Sequence, residues 1–150
     1  MQYASGSQGR IFYIRFDHGE DLLSGLHTFI REHRIGSGMI HLIGALSQGN
    51  IVTGPKETTL PPDPVWQSLD EAHELIGIAM IRQGPDGPSL HLHTSAGRGS
   101  SALTGCLRTG TQVYIVIEAV ITEFSGFTIT TGHDEKTGLD LPIPSQNLPE

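Results

Sequence analysis

The sequence has one cysteine, Cys106, in 150 residues, which excludes an intramolecular disulfide and is typical of a reducing compartment. It also has no run of about 18 apolar residues, the length that a membrane-spanning helix requires. Residues 1–6 lack the basic and apolar regions of a secretory signal. We therefore predict a cytoplasmic protein that is not embedded in a membrane.

Basic residues are scarce as well. Nine lysines and arginines stand against 16 acidic residues, which gives a formal net charge of −7, and the basic residues are scattered along the chain. Proteins that bind nucleic acid through their own surface present a basic stripe, because neutralised phosphates supply most of the affinity. The charge therefore argues against direct DNA binding by this domain. No phosphate-binding loop, nucleophile elbow or dinucleotide fingerprint is present either.

Glycine and proline are abundant by contrast, with 19 and 9 copies, which favours many turns and short strands over a helical bundle. Apolar patterns predict strands at residues 10–16, 39–46, 51–53, 74–82, 89–94, 112–123 and 127–131, with an exposed loop at residues 54–64. An apolar stripe at helical spacing predicts one principal helix of about four turns, formed by Leu22, Leu23, Leu26, Phe29 and Ile30. Glu20 and Asp21 are expected in its first turn, and Gly36 is placed to end it.

The predicted fold is an α+β domain with a mainly antiparallel sheet of about seven short strands and the principal helix packed on one face. Short connections in the second half of the chain favour antiparallel pairing, because parallel pairs need long crossovers. Residues 1–9 are expected to form a flexible arm, residues 10–141 a single domain, and residues 142–150 a Pro-rich tail.

His91 and His93 are the first candidates for chemistry. They lie two apart in a predicted strand, so both side chains point to one face with Cα atoms about 6–7 Å apart. Two imidazoles at that spacing can converge on one ion, at zinc–nitrogen distances of about 2.0–2.1 Å. A hairpin-like return of the chain would bring the thiol of Cys106 beside them. Three protein ligands with an open fourth position are typical of an accessible site for zinc or another divalent transition metal.

The same residues allow other interpretations. Surface His-x-His pairs are common in a chain with eight histidines, and a single cysteine is more often a small buried apolar residue. Cys106 could also act as a nucleophile, with His91 or His93 as its base. A cupin site would need a carboxylate four or five positions after the histidine pair, where this chain has Gly97 and Arg98.

Two further residues are candidates for a supporting role at the metal. His41 lies in an otherwise apolar strand, where it is either a hydrogen-bonded core histidine or an additional ligand. Glu74 opens the strand of residues 74–82, where it is either a strand-end charge or a partner that orients a ligating imidazole.

The order of these motifs resembles the PPC domain, the plant and prokaryote conserved domain, in its stand-alone prokaryotic form. The resemblance spans about residues 10–141. The matching segments are residues 15–21 with a Gly-Glu-Asp helix start, residues 37–40 and 43–45, Glu74-Leu75 with Gly77, His91-Leu92-His93, residues 104–107 with Gly110, and residues 134–141.

The resemblance implies a mainly antiparallel sheet with a packed helix, assembled as a homotrimer. Some prokaryotic members resemble metal proteins that use the His-x-His pair and the histidine of a Gly-Gly-His-Leu segment, where this chain has Cys106. Cysteine is a competent zinc ligand, so this difference is compatible with a changed metal preference as well as with loss of the site. Plant members bind DNA through AT-hook arms with an Arg-Gly-Arg core that enters the minor groove. This chain has no such arm, and stand-alone members carry a provisional DNA-binding label by analogy.

Three functions follow as hypotheses. The first is a trimeric binding or regulatory module with a metal site that could also take a small-molecule ligand. The second is a metal-dependent enzyme for a small polar substrate, with Glu74 or His41 as its acid or base. The third is direct DNA binding, which the net charge of −7 makes the least favourable.

Overall fold

The computed structural model describes residues 1–146. Along these residues the elements are β1 Ser7–Asp17, α1 Leu22–Glu32, β2 Gly38–Pro55, β3 Pro64–Leu69, β4 His73–Gly84, β5 Gly87–Arg98, β6 Ser101–Ser125, β7 Phe127–Asp134 and β8 Leu139–Gln146. The predicted α+β class and the single principal helix are confirmed. The strands are longer than predicted, and the described residues contain eight of them.

The strands form one sheet in the order β3-β2-β6-β5-β4-β7-β8, with β1 paired to β6. Among residues 1–146 all pairings are antiparallel except one parallel pair between Gln83 of β4 and Thr130 of β7, so the predicted mainly antiparallel sheet is confirmed. Strand β2 also pairs with β4. As a result β2, β6, β5 and β4 close into a ring of hydrogen-bonded strands, which leaves no unpaired edge within it.

The core lies between helix α1 and the sheet. Leu22, Leu26 and Ile30, which recur at helical spacing, are fully buried, and the helix packs against β5 and β6. From the sheet side, Leu92 and Ile117 belong to the same cluster. Full burial of each such side chain contributes about 1.5–3 kcal/mol, so this packing fixes the face of β5 that points inward.

Helix α1 begins two residues after Glu20, the first residue that the sequence analysis places in its first turn. Leu22 is its first residue and Asp21 is its N-cap, whose carboxylate accepts a hydrogen bond from the backbone N–H of Ser24 at 2.8 Å. The expectation that Glu20 and Asp21 lie in the first turn is therefore wrong. The same Asp21 carboxylate also accepts from the buried Thr111 N–H of β6 at 3.1 Å, so it joins the helix to the sheet.

The helix also ends earlier than predicted, at Glu32 instead of near Gly36. Arg34 has φ 53°, in the left-handed region, and the N–H of Ile35 donates to the carbonyl of Ile30 at 3.0 Å. The last carbonyls are thus satisfied by a Schellman arrangement in which both isoleucines are buried. This hydrophobic contact ends the helix without a glycine at the left-handed position.

Four segments differ from their predicted state. Residues 7–9, expected in the flexible arm, belong to β1, where Ser7 pairs with Ser125. Residues 64–69 form β3, and residues 101–111 form the first half of β6. Residues 142–146, expected in the Pro-rich tail, form part of β8, which pairs with β7 at the edge of the sheet. Prolines are tolerated there because an edge strand has one side without ladder hydrogen bonds. The rest of the predicted tail, residues 147–150, lies outside the described residues.

No helix among residues 1–146 is long and apolar enough to span a membrane.

Candidate metal site

Strand β5 presents the two histidines of the predicted site. Leu92 and Thr94 are buried on its inner face, which leaves His91 and His93 exposed on the outer face of the same strand. The ring nitrogens His91 Nε2 and His93 Nε2 are 3.0 Å apart, and the two rings are nearly perpendicular, at 81°. The predicted convergence of the two imidazoles is present in the structure.

Strand β6 brings the cysteine to the pair. Strands β5 and β6 form a hairpin, in which Cys106 lies directly opposite His93 in the antiparallel register. The candidate ligand atoms of His91, His93 and Cys106 all lie within 4.8 Å of one another. The hairpin return predicted from the sequence is therefore present, while binding of a metal by these three residues stays a prediction.

Gly105 explains why Cys106 can sit where β2, β5 and β6 meet. A Cβ atom at this position would overlap the backbone carbonyl oxygen of Val52 on β2. Val52 is also the residue that Cys106 faces across the β2–β6 pairing. Absence of a side chain at Gly105 thus permits the close backbone approach that holds the thiol beside the histidines.

Local electrostatics favour the neutral form of the imidazole and of the thiol. Partial burial lowers the pKa of His91, and the charges of His93, Arg82 and Arg108 lower it further. Burial raises the pKa of the Cys106 thiol, whose residue is only 6% exposed, and the charge of Arg108 opposes this effect. A raised pKa disfavours a free thiolate nucleophile. A bound cation reverses that balance, because a coordinating thiol is deprotonated.

The donor set fits a late transition metal. Neutral imidazole and thiolate are the ligands that zinc and its neighbours prefer. Around a tetrahedral zinc ion, two ligating nitrogens are about 3.3 Å apart and a nitrogen and a sulfur about 3.5 Å apart. The ring nitrogens are 3.0 Å apart, and all the candidate donor atoms lie within 4.8 Å of one another. Small rotations of the side chains would bring these distances to the tetrahedral values. Three protein donors would leave a fourth position for water or a ligand.

A cavity of about 530 Å³ opens onto the three residues. Its wall also includes residues from the segment predicted to be an exposed loop and from the start of β8. The lining residues include Val52, Pro55, Pro62, Pro64, Arg108 and Leu139. The volume is in the range typical of small-molecule sites.

The structure does not bring His41 to this site. His41 is exposed, so its interpretation as a core histidine is wrong: strand alternation places it on the outer face of β2. It pairs with Ile78 of β4, which in turn pairs with His93 of β5. Two strand spacings, about 10 Å, therefore separate His41 from the metal candidates. It lines a different, mostly apolar groove with Ile43 and Ile78.

Glu74 is also remote from the candidate ligands. It is exposed at the start of β4 and pairs with Gly97, four residues along the strand from the position opposite His93. That offset corresponds to about 13 Å, too far for a hydrogen bond to either imidazole. Of its two interpretations, the structure favours the strand-end charge.

Arg108 is the residue of this site that the sequence analysis missed. It follows Cys106 by two positions on β6, is exposed, and lines the cavity. Thr109 pairs with Asn50 and Leu107 with Ile51, so Arg108 is the extra residue of a β-bulge. Its spacing of two residues from Cys106 indicated a position on the same face of the strand. The bulge itself cannot be predicted from the sequence pattern.

Comparisons with known proteins place the chain in a family. The model of the Plants and Prokaryotes Conserved (PCC) domain matches residues 3–125. A protein from Archaeoglobus fulgidus described as metal-containing is 25% identical, with a TM-score of 0.84 over 95% of this chain and 99% of its own. A plant- and prokaryote-conserved protein from Pyrococcus horikoshii is also 25% identical, with a TM-score of 0.80 over 94% of this chain and 96% of its own.

A third structure shows the fold alone. It is a protein from Bacteroides thetaiotaomicron under a provisional DNA-binding name, 22% identical, with a TM-score of 0.76 over 92% of this chain and 96% of its own. No curated protein matches the sequence at a significant level. The family match covers most of the chain. The chain belongs to the Plants and Prokaryotes Conserved (PCC) domain family.

Proposed function

We propose that this protein is a metal-dependent binding or regulatory module of the PCC family. The observation that carries the proposal is the convergence of the His91, His93 and Cys106 donor atoms within 4.8 Å, at the mouth of a cavity. A protein of similar structure from Archaeoglobus fulgidus is described as metal-containing, which supports a metal here. Zinc is the ion we favour, because a His/His/Cys set with an open position suits its tetrahedral coordination.

Cobalt(II) titration of chelator-stripped protein tests this proposal, because the absorption spectrum of bound cobalt depends on its ligands and their geometry. We expect a tetrahedral cobalt spectrum with a thiolate-to-cobalt charge-transfer band, and loss of that band in Cys106→Ser. His41→Ala is the matched control, because His41 lies on the same outer face but about 10 Å away, and it should bind cobalt as the parent does. An octahedral spectrum without a thiolate band would reject the three-residue site.

We also propose that the chain assembles as a homotrimer. Support comes from an apolar strip on β2 and β4, defined by Ile43, Ile76 and Ile78, which are 55%, 68% and 51% exposed. Ile43 and Ile76 are register partners, so the strip is continuous. Contiguous apolar surface of this kind marks interaction sites in soluble proteins.

Light scattering coupled to gel filtration tests the assembly. We expect a mass three times that of the 16.2 kDa chain. Ile76→Lys should reduce the mass toward that of one chain, because it buries a charge in the proposed contact. Ile11→Lys, at an exposed position of β1 outside the strip, is the control and should leave the mass unchanged. A parent protein that elutes as a monomer contradicts the proposal.

A second candidate function is a metal-dependent enzyme for a small substrate. The cavity of about 530 Å³ favours it, because it would give a ligand access to the open coordination position. Turnover of an activated ester by zinc-loaded protein, abolished in His93→Ala, would support an enzyme. A zinc-loaded protein that binds ligands without turnover supports the module instead.

Direct binding of DNA is not part of the proposal, although structural neighbours carry provisional DNA-binding names. A net charge of −7 repels the phosphate backbone, which supplies most non-specific affinity. We expect no shift of random duplex DNA at physiological salt. A salt-dependent shift would reverse this expectation.

A further inference from the structure

Arg108 gives the cavity a positive charge that has no counterion nearby. Among residues 1–146 it takes part in no salt bridge, and none of the residues that line the cavity is acidic. This is unexpected in a chain whose acids outnumber its lysines and arginines by 16 to 9. The cavity is therefore a local positive site on an acidic protein, and such a site attracts anions.

Arg108 lies in an irregular part of β6 and lines the same cavity as the candidate ligands. Arg108 is the extra residue of the bulge in β6, and bulges commonly re-aim a side chain beside a functional site. The positive charge of Arg108 lowers the pKa of both His91 and Cys106, which line the cavity with it. The charge of Arg82 on β4 lowers the pKa of the same two groups.

Metal binding would add to the positive charge. A divalent ion held by two neutral imidazoles and one thiolate keeps a net charge of about +1, and Arg108 raises the charge of the site to about +2. A carboxylate neutralises half of this charge. It also matches the planar fork of a guanidinium, which binds carboxylates through two parallel hydrogen bonds.

The remaining wall of the cavity is mostly apolar, with Thr53 and Thr104 as its polar side chains. Val52, Pro55, Pro62, Pro64 and Leu139 line it. Such a wall offers few hydrogen-bond partners for a phosphate ester or a sugar, most of whose polar groups would lose their hydration there. It suits a ligand with an anionic end and a hydrocarbon body.

We propose that the cavity binds a small monocarboxylate with an apolar body, whose carboxylate lies between Arg108 and the metal held by His91, His93 and Cys106. This inference rests on the proposed metal site and specifies its ligand class. Arg108 is then the residue that selects anionic over neutral ligands, and the proline-lined wall selects for apolar bodies.

Calorimetric titration of zinc-loaded protein with hexanoate tests the inference, with hexanamide as the neutral analogue of the same shape. We expect hexanoate to bind and hexanamide to bind at least about tenfold more weakly, since hydrogen bonds to charged groups carry most of the affinity. Arg108→Gln should weaken hexanoate by about tenfold to a hundredfold without changing hexanamide. Arg108→Lys keeps the charge but lacks the planar fork, so its affinity for hexanoate should lie between those of the parent and Arg108→Gln.

Three measurements make the outcomes distinct. Zinc content of Arg108→Gln should equal that of the parent, because Arg108 is not a ligand. A parent that holds zinc but does not bind hexanoate, or binds both probes equally, overturns the carboxylate inference and leaves the metal site intact. A parent that holds no zinc overturns both. Inorganic phosphate should displace hexanoate poorly, and displacement as effective as that by free hexanoate would show an unselective anion site and refute the role of the apolar wall.

Discussion

Replacement of Cys106 by serine should weaken zinc binding by about 100-fold. Structural zinc sites with four ligands have apparent binding free energies of about 10–16 kcal/mol, or about 3 kcal/mol per ligand. A loss of about 3 kcal/mol corresponds to two orders of magnitude in the dissociation constant. Cys106 is 6% exposed and lies opposite His93, so serine fits the space but is a poor zinc ligand.

Thermal unfolding converts this loss into a measurable shift. Free zinc at about 100 times the dissociation constant of the parent stabilises the folded state by about 2.7 kcal/mol. For a domain of this size that raises the melting temperature by about 5–10 °C. That zinc concentration equals the dissociation constant expected for Cys106→Ser. Zinc therefore stabilises the folded variant by only about 0.4 kcal/mol and raises its melting temperature by about 1 °C.

Differential scanning calorimetry with and without a chelator measures the shift in melting temperature. Competition against a chromophoric zinc indicator measures the zinc affinity. Cys106→His is the informative second variant, because the family resemblance places a histidine ligand there, and it should retain most of the zinc-dependent shift. His41→Ala should behave as the parent. An equal zinc affinity for the parent and Cys106→Ser would refute the assignment of the thiol as a ligand.

Three further predictions concern the scaffold that holds the site. Asp21→Ala should lower the free energy of unfolding by about 2–3 kcal/mol, because it removes the helix N-cap and leaves the buried Thr111 N–H without a partner. Asp21→Asn should lose less stability, and urea denaturation measures both variants. Arg34→Gly should raise it by about 0.5–1 kcal/mol in the same assay, because glycine adopts φ 53° without steric cost; a destabilised variant would contradict the cap assignment. Glu123→Gln should lower the melting temperature at pH 7, since hydrogen bonds from Arg10 lower the pKa of the Glu123 carboxyl. A carboxyl with a lowered folded-state pKa stabilises the fold above its unfolded pKa and loses that effect as pH falls, so the difference from the parent should vanish in acid; a pH-independent difference would contradict the ion pair.

The strand pattern was sufficient to place the two imidazoles on one face of β5, whereas the strand of residues 101–111, which carries Cys106, was not predicted. Period-two alternation places Leu92 in the core, which fixes His91 and His93 on the outer face. The return of Cys106 was expected only as a hairpin-like turn of the chain, because segments that are adjacent in sequence commonly pair in space.

The position of His41 could not be predicted in the same way. It depends on β4 lying between β2 and β5, a long-range order that strand patterns do not encode. Arg108 was missed because a bulge interrupts the alternation at its position. The prolines of β8 concealed a strand, since Pro142 and Pro144 are acceptable only because that strand lies at the edge of the sheet.

The most direct test of the metal site is elemental analysis of tag-free protein purified without a chelator, beside a His91→Ala, His93→Ala double variant. We expect about one zinc or other transition-metal ion per chain in the parent, because the candidate donor atoms of His91, His93 and Cys106 lie within 4.8 Å of one another. We expect none in the folded double variant. A folded parent without metal, or a double variant that retains it, would contradict the metal site.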